Sequence, residues 1–435
     1  MSLKRFLSLS PLVVLLAACS TVSIDSDGVV SSSDAKPSAT ADDIALKPLK
    51  VPALTELVET PSRALAAKYQ AVNWSALPGW KNDDLQHVWK GFLNNCKGLM
   101  RPVSGSLTMP ARAAPRAWHG VCEAAVRSGQ SETGASAAFV RQFFQEHLQP
   151  WRVLDAAGKP ASNTVTGYYE PLIKASTRKD GEYQWPLYAT PSDLLTIDLG
   201  TIYPELAGKR IRGKLDGTRV VPYDTRAEIA ANTQRQPKAI VWAADPVEAF
   251  FLQIQGSGRA VLPNGSAVRL AYDDHNGHPY ASIGQWLAKT GEMPLAQTSM
   301  QNIKAWAKRN PGRVQEMLNV NTAMVFFREE KIVDPLLGPK GAYSIPLIAE
   351  RAIAVDPTFV PLGSPVFLST HYPASQKPLQ RVVFAQDTGA AIKGAARTDY
   401  YWGTGDEAGA NAGRMKQNGQ MWVLWPKAAG APTAR

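Results

Sequence analysis

The sequence predicts a mainly β fold with helices, in which the strands form barrels rather than a doubly wound sheet. Short runs rich in β-branched and aromatic residues are separated by turn signals, in a chain with 33 Gly and 32 Pro. No Walker sequence is present, and the glycines after Trp402 lack Rossmann spacing. At 435 residues and 45% hydrophobic content, the chain is long enough for two or three domains. The strand-like runs are 164–169, 219–223, 239–242, 323–327, 352–355, 381–384 and 421–425.

Apolar residues at helical spacing predict helices in three places. They recur over 84–100 and 136–148, and again over 299–318, where Asn310-Pro311-Gly312 interrupts the pattern. The polar, strand-like stretch between the helix-bearing parts favours an inserted second domain.

The first residues resemble a bacterial lipoprotein signal. Lys4 and Arg5 precede an apolar run, 7–16, that is too short to span a bilayer and ends in Leu-Ala-Ala-Cys. This predicts a signal peptide over 1–18, lipid on Cys19 and a flexible tether over 19–47. Ser20 favours the periplasmic face of the outer membrane. The alternative is an ordinary signal peptide in which Cys19 is incidental.

Composition limits the remaining chemistry. A net charge of +10 favours an anionic neighbour, and the absence of a five-residue Lys/Arg run argues against nucleic acid. His275 and His278 lack a third metal ligand at a known spacing, so neither a metal nor another cofactor is predicted. In an exported chain Cys96 and Cys122 are expected to form a disulfide, with two buried free thiols as the alternative.

Three aspartates carry the strongest functional signal. Asp356, Asp387 and Asp399 each lie at the end of an apolar run or in a Gly-rich loop. Clustered acids in apolar surroundings raise one another's pKa, so that one can serve as a general acid. The aromatic residues 400–402 are expected to form a desolvating wall and a face for sugar stacking. Turn and capping aspartates are the alternative.

The Asp356, Asp387 and Asp399 segments, together with 166–171, 251–258, 278–284 and the lipobox, resemble the membrane-bound lytic murein transglycosylase A family. The resemblance implies cleavage of the β-1,4 bond between N-acetylmuramic acid and N-acetylglucosamine, leaving 1,6-anhydro ends. It also implies a double-psi β-barrel catalytic domain with a second β-barrel inserted and a groove between them. We expect the catalytic domain over 48–171 plus 278–428, the insert over 172–277, and a monomer bound to peptidoglycan strands.

Matching the family's motifs residue by residue gives catalytic roles to Asp399, Asp387 and Asp356. Asp399 is the expected acid and base and Asp387 its partner, while Asp356 either shapes the site or has a structural role. The sequence departs from the family at Ala390, where a second glycine is common, and in the linker 395–398, which is about one residue longer than in some members. The expected sugar or peptide-stem contacts are Thr166, Tyr168, Gln253, Gln255 and Lys393, with a solvated loop charge as the alternative for Lys393.

Two other functions are compatible with the sequence. A hydrolytic muramidase would use water and a second carboxylate at a defined distance. A non-catalytic peptidoglycan-binding lipoprotein could use the same surface and anchor without turnover.

Overall fold

The computed structural model describes residues 47–57, 63–101, 110–203, 206 and 211–434. The predicted signal peptide, Cys19 and all of the predicted tether except Lys47 lie outside these ranges. Within them, no helix has both the length and the apolar character needed to cross a membrane.

Strands and helices alternate irregularly along the described chain. The helices are α1 (Val88–Leu99), α2 (Pro115–Arg127), α3 (Ala137–His147), α4 (Arg226–Ala231), α5 (Pro246–Gln255), α6 (Ile283–Lys289), α7 (Met300–Arg309), α8 (Val314–Asn319) and α9 (Asp406–Arg414). The strands are β1 (Lys68–Ala71), β2 (Leu148–Leu154), β3 (Asn163–Glu170), β4 (Leu172–Ser176), β5 (Trp185–Tyr188), β6 (Leu195–Ile197), β7 (Ile211–Asp216), β8 (Arg219–Pro222), β9 (Ala239–Ala243), β10 (Ser257–Val261), β11 (Ala267–His275), β12 (Val325–Glu330), β13 (Leu337–Lys340), β14 (Pro346–Ile348), β15 (Ala352–Val355), β16 (Pro365–His371), β17 (Pro378–Asp387), β18 (Thr398–Thr404) and β19 (Lys416–Pro426).

The first barrel consists of β19, β16, β17, β15, β18 and β3, and it closes because β3 also pairs with β19. The pairing is mixed: β15 runs parallel to β17 and β18 runs parallel to β3, while the other neighbours are antiparallel. All four residues of β15 are buried, as expected for a strand covered on both faces. The predicted barrel class is confirmed.

The second barrel is built from the chain between β3 and β13. Its strand order is β12-β11-β10-β4-β9-β5, and a parallel bridge between Ala189 and Phe327 joins its two edges. Helices α5 to α8 share a buried core that includes Phe250, Trp306 and Met317. The second barrel therefore extends to Glu330, because β12 pairs with β11. The insert over 172–277 stays a prediction about domains, while the helices that follow residue 277 share a buried core with α5.

A buried ion-pair cluster joins the two barrels. Glu170, at the end of β3, is fully buried and accepts hydrogen bonds from Arg259 Nε at 2.8 Å and Arg269 Nε at 2.7 Å. Both arginines also donate to the carbonyl oxygen of Leu337, where the chain returns to the first barrel. This arrangement satisfies the carboxylate on both oxygens, which a buried charge requires.

Helices α1 to α3 pack against the first barrel, and a disulfide between Cys96 and Cys122 joins α1 to α2. Both cysteines are completely buried. Beside the disulfide, Asn95 Nδ2 donates to the carbonyl oxygen of Gly363 at 2.5 Å. The Asn95 side chain thus links α1 to the loop that precedes β16.

Candidate active site

Two of the three aspartates lie in one row across the first barrel. On the middle strand β15, Ala354 pairs with Asp387 of β17 on one side and with Asp399 of β18 on the other. Residues directly paired across a sheet project from the same face. The carboxyl groups therefore flank the Ala354 methyl group, and their Cα atoms are about 10 Å apart as two strand spacings require.

A β-bulge sets the direction of Asp387. The register of β15 against β17 shifts between Ile353 and Ala354, so that Gln386 has no partner on β15. The Gln386 carbonyl instead accepts the backbone N–H of Tyr343 at 2.9 Å. Bulges next to active sites typically redirect one side chain. Without this extra residue, Asp387 would lie on the opposite face of the strand from Asp399.

Asp399 is half-buried and accepts a hydrogen bond of 2.6 Å from the Thr166 hydroxyl on β3. Burial raises the pKa of Asp399 to about 6, and the nearby charge of Asp387 acts in the same direction. The Thr166 hydrogen bond and the positive charge of Arg397 lower it. The balance is a carboxyl group that is partly protonated near neutral pH, as a residue acting first as acid and then as base requires.

Asp387 is held by three donors. Its Oδ1 accepts the backbone N–H groups of Ala342 and Thr388, each at 2.9 Å, and its Oδ2 accepts the Tyr168 hydroxyl at 3.1 Å. Burial raises the pKa of Asp387, while these hydrogen bonds oppose the increase. Burial and the neighbouring carboxylates raise the pKa of Tyr168 as well, so its phenol remains a hydrogen-bond donor. Tyr168 is thereby fixed beside the pair.

Asp356 lies outside this row and supports a loop. It is buried and accepts the backbone N–H and hydroxyl of Thr358 on one oxygen and the Gly394 N–H, at 2.8 Å, on the other. Gly394 has a φ of 102°, a conformation that favours glycine. Asp356 therefore anchors the loop that leads to Asp399, and its expected site-shaping role stays a prediction.

The predicted substrate contacts separate into different environments. The Gln255 side chain accepts the Tyr169 backbone N–H at 3.1 Å, which places this insert residue beside β3. Lys393 is exposed on the loop that Asp356 anchors. Gln253 does not fit the prediction, because its side chain is buried and accepts Arg226 at 2.7 Å inside the insert. Positions two apart on a helix, such as Gln253 and Gln255, face different directions, which the sequence motif concealed.

The aromatic residues after Asp399 form a wall but no stacking face. Tyr400, Tyr401 and Trp402 are at most 6% exposed. The Tyr401 ring packs against that of Tyr168 at 5.2 Å, and the Trp402 indole N–H points to the sulfur of Met415 at 3.2 Å. Strand β18 is covered on both faces, so these side chains exclude water from the site while remaining inaccessible to a sugar.

Arg397 belongs to the site although no sequence motif indicated it. Its guanidinium donates to the Thr166 hydroxyl at 3.0 Å, two residues before Asp399. The available signal was the spacing, because residues i and i+2 of a strand project from one face. Among the described residues, no three His, Cys, Asp or Glu side chains are grouped so that they could hold a metal ion.

Two family models and a curated relative match this chain. The MltA specific insert domain matches residues 164–328, and the 3D domain matches residues 351–425. The chain is 30% identical over 298 residues to membrane-bound lytic murein transglycosylase A of Escherichia coli (strain K12), covering 67% of this chain and 72% of that protein.

Two solved structures are also similar. MltA from Neisseria gonorrhoeae is 33% identical with a TM-score of 0.70, covering 87% of this chain and 98% of that one. The lytic transglycosylase LtgG of Burkholderia pseudomallei is 40% identical with a TM-score of 0.56, covering 85% of this chain and 99% of that one. On this evidence the chain belongs to the membrane-bound lytic murein transglycosylase A family.

Proposed function

We propose that this protein is a lytic transglycosylase of peptidoglycan, in which Asp399 is both the acid and the base. It cleaves the β-1,4 bond between N-acetylmuramic acid and N-acetylglucosamine and leaves a 1,6-anhydromuramoyl end. The observation that carries the proposal is one half-buried carboxyl group, with a pKa of about 6, in a row with a second carboxyl group. The family relationship supports the same reaction.

In the first step, protonated Asp399 gives its proton to the glycosidic oxygen. The bond between muramic acid C1 and that oxygen breaks, the N-acetylglucosamine unit leaves with a new hydroxyl group, and positive charge develops at C1. Burial favours the protonated form that this step consumes. The aromatic wall behind Asp399 keeps water away from the developing charge.

In the second step, the Asp399 carboxylate removes the proton from the C6 hydroxyl of the same muramic acid. The C6 oxygen forms a bond to C1, which closes the anhydro ring and restores protonated Asp399. No water is consumed, so atoms and charge balance over the two steps. Since the nucleophile belongs to the substrate, its effective concentration is high and a second carboxylate nucleophile is not required.

Asp387 assists by its charge and its contacts. Its proximity raises the pKa of Asp399, and its hydrogen bond to Tyr168 holds that phenol at the edge of the site. Gln255 is a candidate sugar contact, because its carbonyl is engaged by Tyr169 and, among the residues that the structure describes, no acceptor is seen for its amide N–H groups. We expect Gln255→Ala to raise KM, whereas Gln253→Ala should lower stability with KM unchanged, since Gln253 bonds Arg226.

Location follows from the same proposal. Lipid on Cys19 would anchor the protein to the outer membrane, facing the periplasm, as a monomer. The apolar run before Cys19 and the membrane-bound name of the relative support an anchor. Cell fractionation of native protein and Cys19→Ala tests it: the variant should leave the membrane fraction, and retention there would contradict a lipid anchor.

The reaction is tested by incubating the protein with purified sacculi and analysing the released muropeptides by mass spectrometry. We expect products lighter than hydrolysed muropeptides by one water, which disappear with folded Asp399→Ala. Products with reducing ends would make the protein a hydrolase. Retained binding to sacculi without release would leave a peptidoglycan-binding protein.

A further inference from the structure

Arg397 reaches Asp399 through a single hydroxyl group. The Arg397 Nη2 donates to Thr166 Oγ1 at 3.0 Å, and Thr166 Oγ1 donates to Asp399 Oδ1 at 2.6 Å. The other terminal nitrogen, Nη1, donates to the carbonyl oxygens of Thr164, at 3.1 Å, and Thr398. The guanidinium is thus fixed to both β3 and β18, the two strands that carry Thr166 and Asp399.

The chemistry of the three groups determines the direction of this hydrogen-bond chain. A guanidinium has donors only, and a threonine hydroxyl has one proton. Because Arg397 donates to the Thr166 oxygen, it fills one of the two lone pairs of that oxygen and places a positive charge on that side. Both effects favour the orientation in which the hydroxyl proton points away from Arg397 and is donated to Asp399.

This arrangement also distinguishes the two carboxyl oxygens of Asp399. Oδ1 is occupied by the Thr166 hydroxyl, and within the described residues no donor contacts Oδ2. A carboxyl group that accepts a hydrogen bond on Oδ1 carries its own proton on Oδ2. The reacting oxygen is therefore Oδ2, in both the acid and the base step.

We propose that Arg397 is a positioning residue for catalysis: by orienting the Thr166 hydroxyl it fixes which Asp399 oxygen exchanges the proton and supports the carboxylate formed after the first step. The inference rests on the proposed transglycosylase reaction. It adds a residue for which the sequence motifs gave no role.

The charges around Asp399 agree with this role. Asp387 faces it from β17 and raises its pKa, while Arg397 lowers it. The Tyr168 hydroxyl on β3 is engaged by Asp387, and β15 contributes only Ala354. Lys416 on β19 is the residue paired with Thr166 on the side of β3 away from β18, and it is exposed. It is therefore a nearby positive charge that takes no part in the hydrogen-bond chain.

The test is the pH dependence of kcat for release of anhydro-muropeptides from sacculi by the full protein. Turnover falls as Asp399 loses its proton, so the high-pH inflection reports the pKa of Asp399 in the complex. With Arg397→Gln we expect this inflection to move up by about one pH unit, because a positive charge that favours the carboxylate is lost. We also expect kcat below the inflection to fall by about tenfold, because the hydroxyl is no longer oriented.

Two variants separate orientation from general charge. Arg397→Lys keeps the positive charge and should keep the inflection near its native position, while kcat recovers only in part because an ammonium lacks the planar fork. Lys416→Gln removes a charge that lies outside the chain and should leave the inflection unchanged. An Arg397→Gln profile that superimposes on the native one, or an equal displacement by Lys416→Gln, would overturn the proposal.

A second pair covers the case in which Arg397→Gln does not fold. Thr166→Val removes the connecting hydroxyl with Arg397 in place and should move the inflection upward, whereas Thr166→Ser should retain the native profile. A native profile for folded Thr166→Val would refute the hydrogen-bond chain. If native protein forms no anhydro product at any pH, the proposed function fails; anhydro product with an unmoved inflection in the variants refutes only the role of Arg397.

Discussion

Replacing the proposed catalytic carboxyl should make the protein more stable at neutral pH. Burial raises the pKa of Asp399 from its ordinary value of 3.8 to about 6. Above that pKa the folded state holds a charge in a place that disfavours it. At about 1.4 kcal/mol for each pKa unit, the cost is about 3 kcal/mol. Since Asp399 is half-buried and solvent screens part of the effect, we expect Asp399→Asn to gain about 1–3 kcal/mol in free energy of unfolding.

The direction in which this stability difference changes with pH follows from the number of protons bound by the folded and unfolded states. Below pH 3.8 the carboxyl is protonated in both states, and its raised folded pKa contributes its full stability. As the pH rises from about 4 to 6, the unfolded chain loses its proton first, so this stability is lost and stays lost above the folded pKa of about 6. The advantage of Asp399→Asn should therefore be absent near pH 3.5, grow between pH 4 and 6, and remain constant above.

Denaturant unfolding at pH 3.5, 5 and 7.5 measures this difference, with turnover on sacculi measured in parallel. Asp356→Asn is the matched control, because its carboxylate accepts Thr358 and Gly394 and the amide nitrogen cannot accept. It should lose stability by about 1–3 kcal/mol. An Asp399→Asn variant that is less stable than native protein at pH 7.5, or equally stabilised at every pH, would refute the reasoning.

Other parts of the fold give further predictions. Glu170→Gln should destabilise the protein by about 3 kcal/mol, because two buried arginines lose their counter-charge. Thermal unfolding at pH 7.5 should show a lower midpoint, and an unchanged midpoint would contradict this prediction. The double variant Cys96→Ser, Cys122→Ser should lose about 3–4 kcal/mol of unfolding free energy, since the disulfide closes a loop with a 26-residue separation. Denaturant unfolding without reductant measures this loss, and equal midpoints for variant and native protein would contradict the prediction. Gly167→Ala should reduce kcat, because the added Cβ would lie 2.7 Å from Trp402 Nε1 and would displace the strands on which Thr166 and Asp399 lie. Turnover on sacculi tests this prediction, with circular dichroism as the control for folding, and native turnover would refute it.

Most strands and helices could be predicted because their patterns are local. The run 352–355 is β15, and 239–242 is four of the five residues of β9. The break at Asn310-Pro311-Gly312 separates α7 from α8 as expected. Helix α9 was missed because its small residues carry little apolar signal, and its Asp406 and Glu407 occupy the first turn. The closing pairs of both barrels join strands distant in sequence, which periodicity does not reveal.

The motifs identified the aspartates, but not how they cooperate. Asp387 and Asp399 are separated by 11 residues in the sequence, and what brings them to one face is their common partner Ala354 together with the bulge at Gln386. A shift of one residue in either strand would reverse one carboxyl. Such a register depends on the whole barrel, so it is not visible in any single segment.

Buried polar residues on neighbouring elements hold the bulge that sets the register of Asp387. The bulged Gln386 donates weakly to Asn95 on α1, at 3.4 Å, while its carbonyl holds Tyr343. Asn95 is next to Cys96, so the disulfide restrains the helix that contacts the bulge. Breaking the disulfide is therefore expected to affect activity as well as stability, because a looser α1 releases the residue that sets the direction of Asp387. Turnover and unfolding of the disulfide-free variant are measured over the same denaturant series. If turnover is lost only as the whole protein unfolds, α1 contributes to stability and not to the direction of Asp387.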